Sequence, residues 1–237
     1  MTLWHLTQAI AETARISVPT LLEGAVGRLT PETCDRRLDA WSRRLLDHVN
    51  IEVTTYGLEL APRDETFVIM SNHQSLYDIP VLFQALGRRV RMVAKAELFR
   101  IPVWAGAMRA AGFVEIDRHD RERAIRALEH AKRALREGTS IWIAPEGTRS
   151  PSGKLGPFKK GGFHLAIDTG ARILPVTVIG TRDVLAARGG TVRPGAQVTV
   201  TLGTPIDARE YGDARKDELM AAVREAIARH LPDALRD

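Results

Sequence analysis

The sequence predicts an α/β fold, with a mixed, mostly parallel sheet flanked by helices and an N-terminal helical extension. Short apolar runs typical of buried strands alternate with helical segments from residue 51 onward, whereas the first 50 residues repeat apolar side chains at helical spacing. The chain has 237 residues, enough for one domain with an extension. We therefore divide it into a helical segment, residues 1–50, and an α/β domain, residues 51–237.

The N-terminal segment is predicted to contain two helices. Apolar side chains recur at helical spacing in the first, at Leu3, Leu6, Ile10 and Ala14. We expect Pro19 to interrupt this helix, because proline removes a backbone donor and clashes with the preceding turn. Thr30, Pro31 and Glu32 form a start signal for the second helix. The apolar face of the first helix is compatible with packing on the domain and with lying in a membrane interface.

Six short apolar runs are strand candidates: residues 67–70, 90–94, 112–116, 140–144, 173–179 and 197–202. The last run alternates polar and apolar residues, which predicts an edge strand or a half-exposed strand. One amphipathic helix is predicted to end at Gly138, and another lies near the C-terminus. Strands that alternate with helices predict a sheet covered on both sides.

The chain is basic, with 34 Lys and Arg residues against 29 Asp and Glu residues, a net charge of +5. Arginine predominates, and its planar guanidinium binds phosphate well, so we expect anionic partners. A solvated basic surface without a partner is the alternative. Aromatic residues make up only 5% of the chain, which disfavours nucleic acid, because single-strand binding surfaces interleave basic and aromatic side chains.

Other classes of protein are excluded by residue counts. The single cysteine, Cys34, excludes an intramolecular disulfide and a cysteine-based metal cluster. No apolar stretch reaches the ~18–20 residues of a spanning helix, and the opening residues lack the basic start of a signal peptide. The histidines outside residues 71–78 show no converging set of metal ligands. We therefore expect no metal, and a peripheral protein at the cytoplasmic face of a membrane.

The first candidate site, residues 71–78, directly follows a predicted strand. A histidine and an aspartate five residues apart do not share a helix face, but they meet if His73 lies in the turn and Asp78 begins the next helix. Asp78 would then orient the imidazole, and His73 would act as a general base. The alternatives are a chance spacing and Asp78 as the cap of the helix, a role that we expect in addition.

The second candidate site, residues 145–150, follows another buried strand. Gly147 permits a tight turn and close approach of a ligand, and Arg149 offers two donors to a phosphate. Thr148 adds a hydroxyl. The alternative is a polar loop with an internal ion pair between Glu146 and Arg149. Both candidate sites are expected beyond the carboxyl ends of strands, where open α/β sheets bind ligands.

Taken together, these segments resemble the lysophospholipid acyltransferases of glycerolipid synthesis. Residues 72–78 resemble the first sequence block of that family, 112–118 the second, 145–150 the third and 174–176 the fourth, and residues 94–98 resemble its Lys-x-Glu-Leu segment. The resemblance covers about residues 50–205 in the family order. It implies the glycerolipid acyltransferase fold of this family.

The resemblance also implies an activity: transfer of a fatty acyl group from a thioester to the hydroxyl of lysophosphatidic acid, giving phosphatidic acid. Acyl-CoA or an acidic acyl carrier protein would be the donor, and no cofactor is implied. His73 would be the base and Asp78 its partner. The acceptor phosphate would meet Lys95 and Arg149, with Arg118 next.

In the third block, Glu146, Gly147 and Thr148 would complete the substrate-binding loop. Glu146 would accept a hydrogen bond from an acceptor hydroxyl or brace Arg149, and the turn at Gly147 would offer amide donors to an oxyanion. Lys95 has the alternative of a solvated strand residue, and Arg118 that of an ion-pair partner of Asp117 or Asp120.

Three further functions stay open at this point. Glu115 stands where the family usually has an aromatic residue, which keeps acylation of a different lyso-lipid or hydroxylated acceptor open. A non-catalytic binder of anionic lipids is a second alternative. A hydrolase using Ser75 or Ser150 is a third, although no Gly-x-Ser-x-Gly elbow is present. Residues 101–108 are a candidate wall for the acyl chain or a membrane-facing patch, with core packing as the alternative.

Overall fold

The computed structural model describes residues 2–116 and 121–236. Within these residues there are eight α-helices: α1 Thr2–Ala25, α2 Pro31–His48, α3 Asp78–Ala85, α4 Trp104–Ala110, α5 Arg121–Arg136, α6 Gly161–Thr169, α7 Thr181–Val184 and α8 Lys216–Ala228. The same residues form eight strands: β1 Glu52–Tyr56, β2 Phe67–Ser71, β3 Val90–Lys95, β4 Val114–Ile116, β5 Ser140–Ile143, β6 Arg172–Ile179, β7 Gln197–Leu202 and β8 Ile206–Asp207.

The strands form one sheet in the order β1-β7-β6-β2-β5-β3-β4, with β8 also paired to β6. The run from β6 to β4 is parallel throughout, whereas β7 and β8 are antiparallel to β6 and β1 is parallel to β7. The predicted mixed, mostly parallel sheet is therefore confirmed. For β7 the sequence predicted either an edge strand or a half-exposed strand. β7 lies between β1 and β6, so the edge position is wrong, and its buried residues alternate with more exposed ones, as a half-exposed strand requires.

Alternate residues of β2 belong to two cores on opposite faces of the sheet. Phe67 and Ile69 pack with residues of α2, α3 and α4, whereas Val68 and Met70 pack with residues of α5, α6 and α8. A strand that is buried on both faces has a continuous run of apolar residues in its sequence. This is why the central strands were predictable from the sequence, and it fixes β2 at the centre of the molecule.

The two N-terminal helices pack on the domain. α2 begins as predicted, because the Thr30 hydroxyl accepts the Thr33 N–H and Pro31 takes the first helical position. The predicted interruption at Pro19 is wrong, since α1 continues through it to Ala25. Proline removes only one helical hydrogen bond, and contacts of α1 with α2 and α4 hold the helix together. The division of the chain at residue 50 stays a prediction.

One face of α1 is apolar and exposed. Every fourth residue carries an apolar, exposed side chain along α1 and at Val26 directly after it, and we call this row the α1 stripe: Leu6, Ile10, Ala14, Val18, Leu22 and Val26. Its large members are 45–67% exposed. Among residues 2–116 and 121–236, no helix combines the length and the apolar character that crossing a membrane would require.

Candidate active site

The carboxyl ends of the parallel strands lie along one edge of the sheet. β2 leads into His73, its neighbour β5 leads into residues 145–150, and β3 ends at Lys95. The topology therefore brings the two candidate motifs to adjacent strands, at the edge where open α/β sheets bind ligands.

His73 and Asp78 form the pair that their spacing suggested. The imidazole Nδ1 lies 2.7 Å from Asp78 Oδ2. An ionised carboxylate only accepts hydrogen bonds, so Nδ1 carries the proton and Nε2 keeps a free lone pair. Among the described residues, Nε2 has no hydrogen-bond partner, and the His73 side chain is 15% exposed. The imidazole is thus held at one nitrogen and accessible at the other.

The Asp78 carboxylate is fully buried and accepts four hydrogen bonds from the described residues. Besides the imidazole, Oδ2 accepts the backbone N–H of Gln74 at 2.7 Å and that of Ser75 at 3.0 Å. Oδ1 accepts the hydroxyl of Thr181 at 2.5 Å. Hydrogen bonds to a buried carboxylate offset its loss of hydration.

The expected capping role of Asp78 is wrong. Asp78 is the first residue of α3, and Tyr77 is the N-cap without a side-chain hydrogen bond. The carboxylate instead bonds the amides of residues that precede it, in the turn after β2. The turn therefore folds around this carboxylate, and the imidazole is part of the same arrangement.

An aromatic side chain forms one wall beside the imidazole. The Trp142 ring meets that of His73 edge to face, with centroids 5.7 Å apart and planes at 88°. Trp142 is buried in β5, and its Nε1–H donates to the Ser71 hydroxyl at 2.9 Å. The ring contact and the bond to Asp78 together restrict the imidazole.

The loop of residues 145–150 holds the main chain of His73 on both sides. The Ser150 N–H donates to the His73 carbonyl at 2.7 Å, and the His73 N–H donates to Glu146 Oε1 at 2.9 Å. The two candidate motifs are therefore one unit, joined through the backbone of the catalytic candidate.

Glu146 is buried below the loop, with 6% of its surface exposed. Its second oxygen accepts the Gly156 N–H at 2.9 Å. Burial raises the pKa of Glu146, although the two amide hydrogen bonds act in the opposite direction. The ion pair with Arg149, which was the alternative interpretation of this loop, is absent among the described residues, and both carboxylate oxygens bond backbone amides. Glu146 thus braces the loop instead of Arg149, and its binding of substrate stays a prediction.

Gly147 adopts the left-handed conformation that its loop requires, with φ of 73°. Its N–H donates to the Ala144 carbonyl at 2.9 Å, within the turn, and the oxyanion donors expected from the turn around Gly147 stay a prediction. Thr148, the next residue, is exposed. Thr148 therefore lies at the surface of the loop and Gly147 is buried beside it, and their binding of substrate stays a prediction.

Two predicted phosphate ligands lie at the same edge of the sheet. Lys95 ends β3 and is exposed, and Arg149 is half-buried in the loop after β5. Neither side chain has an ion-pair or hydrogen-bond partner among residues 2–116 and 121–236, so both cations are available to a ligand. Arg118, the third predicted phosphate ligand, lies outside the described residues. Glu115 pairs with Arg109 at 2.9 Å.

Three side chains outside the predicted catalytic and substrate-binding set fix the site through contacts with neighbouring elements. The Asn72 amide bonds both backbone groups of Val178 in β6, at 2.8 Å each. The Ser75 hydroxyl donates to the Leu185 carbonyl at 2.7 Å and not to His73, which disfavours Ser75 as the nucleophile of a hydrolase. Thr181 contacts Asp78 across 103 residues of sequence. No local motif signals contacts of this range.

An apolar cavity of about 310 Å³ adjoins the catalytic candidates. It lies between α1, α2, α3 and α4. Its lining includes Leu76 and Tyr77, which stand between His73 and Asp78 in the sequence. The run 101–108 divides between two environments: Trp104, Ala107 and Met108 line the cavity, whereas Ile101 and Val103 are exposed. In the described part of the chain, no group of three or more His, Cys, Asp or Glu side chains could hold a metal ion.

Comparison with known proteins gives consistent matches. The profile of the Acyltransferase family matches residues 52–179. A 1-acyl-sn-glycerol-3-phosphate acyltransferase of Chlamydomonas reinhardtii is 36% identical over 78% of this chain and 54% of its own length. The human protein 1-acyl-sn-glycerol-3-phosphate acyltransferase alpha is 32% identical over 77% of this chain and 69% of its own length.

A solved structure matches nearly the whole chain. The 1-acyl-sn-glycerophosphate acyltransferase PlsC of Thermotoga maritima superposes with a TM-score of 0.80 and 29% identity, over 96% of this chain and 92% of that one. The chain spans about half the length of several curated relatives, including two chloroplast proteins. The extent of the profile match and of these alignments shows that the chain belongs to the Acyltransferase family.

Proposed function

We propose that this protein transfers a fatty acyl group from a thioester to the free hydroxyl of lysophosphatidic acid, giving phosphatidic acid. The observation that carries the proposal is the His73–Asp78 pair, 2.7 Å apart at the carboxyl edge of the sheet, with the second imidazole nitrogen accessible. The relatives from Chlamydomonas reinhardtii and Homo sapiens bear the name of this activity, which supports the choice of acceptor.

In the proposed reaction, His73 moves one proton twice. As the acceptor oxygen bonds the thioester carbonyl carbon, Nε2 takes the hydroxyl proton, and Asp78 stabilises the resulting imidazolium. The bond between carbon and sulfur then breaks, and the imidazolium gives its proton to the leaving thiolate. The base is regenerated, and no protein nucleophile is consumed. This agrees with the Ser75 hydroxyl being bonded to a backbone carbonyl.

Lys95 and Arg149 are the proposed ligands of the acceptor phosphate. Each is a cation without a partner among the described residues. Lys95 is the last residue of β3, which pairs with β5, and Arg149 lies in the loop after β5. An unpaired arginine can bind phosphate with two parallel donors, which fixes its orientation as well as its position. Thr148 would add a hydroxyl donor at the exposed turn of the same loop.

The donor is proposed to be acyl-CoA or an acyl carrier protein, whose anionic character suits the net charge of +5. Its acyl chain would enter the apolar cavity beside Leu76 and Tyr77, which brings the thioester towards the His73 turn. The chemistry proposed here requires no metal or organic cofactor, because the imidazole alone transfers the proton.

The protein is proposed to act as a peripheral protein at the cytoplasmic face of a membrane, where its lipid substrate resides. The α1 stripe supports this, because an exposed apolar helix face gains free energy by lying in a bilayer interface. The N-terminal segment would then have a second role besides packing on the domain.

The decisive experiment compares His73→Ala with His164→Ala in an assay with labelled acyl-CoA and lysophosphatidic acid. His164 is a matched control, because it also faces an aspartate, Asp213, but at 3.6 Å and at the exposed surface. We expect His73→Ala to lose at least about 100-fold in kcat, the contribution of a general base, and His164→Ala to keep its activity. Full activity of His73→Ala would refute the mechanism.

The acceptor is tested by a panel of lyso-lipids with one acyl donor. The Glu115–Arg109 ion pair lies where the family usually has an aromatic residue, so acylation of another hydroxylated acceptor is the competing function. We expect phosphatidic acid as the main product. Turnover of a different lyso-lipid without turnover of lysophosphatidic acid would favour the competing function. Vesicle binding without any transfer would identify a lipid-binding protein.

A further inference from the structure

We propose that Thr181 is a positioning residue of the active site, whose hydroxyl holds the Asp78 carboxylate in the orientation that supports His73. This inference rests on the proposed acyl transfer and adds a third member to the His73–Asp78 pair. Thr181 is fully buried, and its hydroxyl lies 2.5 Å from Asp78 Oδ1.

The hydroxyl is distinct from the other donors to this carboxylate. The His73, Gln74 and Ser75 donors all belong to the turn that contains Asp78, and all bond Oδ2. Thr181 bonds Oδ1, and among the described residues it is the one donor to that oxygen. It therefore connects the turn after β2 to the turn after β6, and it fixes the rotation of the carboxylate about its own axis.

The direction of this hydrogen bond has a chemical consequence. An ionised carboxylate has no proton to donate, so the hydroxyl must donate, and it stabilises the ionised form. An ionised, correctly rotated Asp78 keeps the proton of His73 on Nδ1 and stabilises the imidazolium. Loss of the hydroxyl leaves a buried acceptor unsatisfied, and the carboxylate is free to rotate away from Nδ1.

The local backbone is built to deliver this hydroxyl. Gly180 directly follows β6 with φ of 99°, a conformation that residues with a side chain rarely adopt, and a Cβ at this position would clash with the Gln197 carbonyl oxygen. The chain therefore turns sharply at Gly180, and Thr181 begins α7 directly above the buried aspartate.

The chain offers a matched control for the loss of a buried hydroxyl. Thr177 lies four residues earlier in β6, is equally buried, and donates to the Ile227 carbonyl at 2.7 Å. The acceptor of its hydrogen bond lies in α8 and not in the His73–Asp78 pair. Thr177→Val and Thr181→Val both remove one buried hydroxyl from the same strand region, so they share the cost to stability and differ in the contact with Asp78.

The experiment measures kcat, KM and the Nδ1–H proton resonance of His73 by NMR for wild type, Thr181→Val, Thr181→Ser and Thr177→Val. We expect Thr181→Val to lose about tenfold or more in kcat with little change in KM, the effect of one hydrogen bond to a charged group. Its Nδ1–H resonance should move upfield or broaden by exchange. Thr181→Ser should restore both readouts, and Thr177→Val should leave both unchanged.

Each result decides the matter. If Thr181→Val keeps the kcat and the resonance of wild type, or if Thr177→Val loses as much kcat, the inference is overturned. If Thr181→Val does not fold, Thr181→Ala, which removes the same hydroxyl with less bulk, replaces it under the same criteria. If the wild type shows no acyl transfer, the proposed function fails, and the resonance by itself still tests the hydrogen bond.

Discussion

At the scale of single residues, burial decides what each charged group in the site does. Asp78 and Glu146 are both buried carboxylates, but Asp78 bonds the imidazole, whereas Glu146 bonds only backbone amides. Lys95 and Arg149 have no partners among the described residues and are more exposed. The site therefore separates groups that position the base from groups that can receive a ligand.

The charge of Asp78 can be removed without removing its hydrogen bonds. In Asp78→Asn, the amide oxygen can take the place of Oδ2 and accept the three N–H groups, while the NH₂ group faces the Thr181 hydroxyl, which can accept. We expect the protein to fold and kcat to fall at least about 100-fold, because the imidazolium loses its counter-charge. Steady-state kinetics and circular dichroism measure the two outcomes. A kcat within twofold of wild type would contradict this role of Asp78.

Glu146 gives a pH dependence of stability with a definite sign. Burial raises the pKa of Glu146 in the folded protein above its ordinary value of 4.5. As the pH rises, Glu146 therefore loses its proton in the unfolded chain before it does so in the folded protein. The Glu146 contribution to stability therefore falls from pH 4.5 upward, until the folded protein also releases its proton. Compared with wild type, Glu146→Gln should lack this fall when urea unfolding is followed between about pH 4 and 7.

The control for this measurement is Glu137→Gln, because Glu137 is exposed at the end of α5. Its pH profile should follow that of wild type. Glu146→Gln should also lose activity, since an amide nitrogen cannot accept an N–H and one of the two amide hydrogen bonds is lost. Parallel pH profiles of wild type and Glu146→Gln would contradict our account of Glu146.

At the scale of elements, the site depends on turns that follow the parallel strands. The turn after β2 carries His73 and leads into Asp78. The loop after β5 bonds the His73 backbone, and the turn after β6 places Thr181 beside Asp78. The strand before each of these segments is buried over most or all of its length. A rigid sheet thus positions side chains from three separate segments.

The turn after β6 is tested by Gly180→Ala. The substitution places a Cβ against the Gln197 carbonyl at a residue with positive φ, so we expect a loss of about 1–3 kcal/mol in stability and a fall in kcat. Gly190→Ala is the control, because a Cβ there meets no atom within 4 Å. Thermal unfolding and kinetics distinguish them. Equal stability of the two variants would contradict the strained turn.

At the scale of the whole molecule, the apolar cavity and the α1 stripe belong to the same helical layer. α1 contributes lining residues such as Ala9 and Ile16 to the cavity and presents the stripe to the outside. The helices of residues 2–48 therefore form part of the proposed acyl site, although we divided them from the domain by sequence. The opposite face of the sheet is covered by α5, α6 and α8.

Membrane binding is tested by replacing two stripe residues that do not line the cavity. Leu22→Ser with Val26→Ser should weaken binding to vesicles of anionic phospholipid at least about tenfold, since each side chain contributes roughly 1 kcal/mol of burial in the interface. Ile125→Ser is the control, because Ile125 is similarly exposed on α5. Sedimentation with vesicles measures binding. Unchanged binding of the double variant would exclude the stripe as the contact surface.

The sequence predicted those features that local pattern encodes. Buried strands appear as apolar runs because both faces of β2 are covered, and the spacing of His73 and Asp78 indicated their contact. β1 was not predicted, because none of its residues is buried: Val53 and Thr55 are half-buried, and the other three residues are exposed. The role of Thr181 and the amide contacts of Glu146 join residues far apart in sequence, and only the folded chain brings them together.

The clamp on the His73 main chain has a consequence for protein engineering. Both the N–H and the carbonyl of that residue bond the segment after β5, so neither segment keeps its shape independently of the other. A chimera that receives residues 145–150 from a relative would need residues 72–78 from the same donor. Exchanges of acceptor preference between homologues are therefore best attempted by transplanting the two segments as a matched pair.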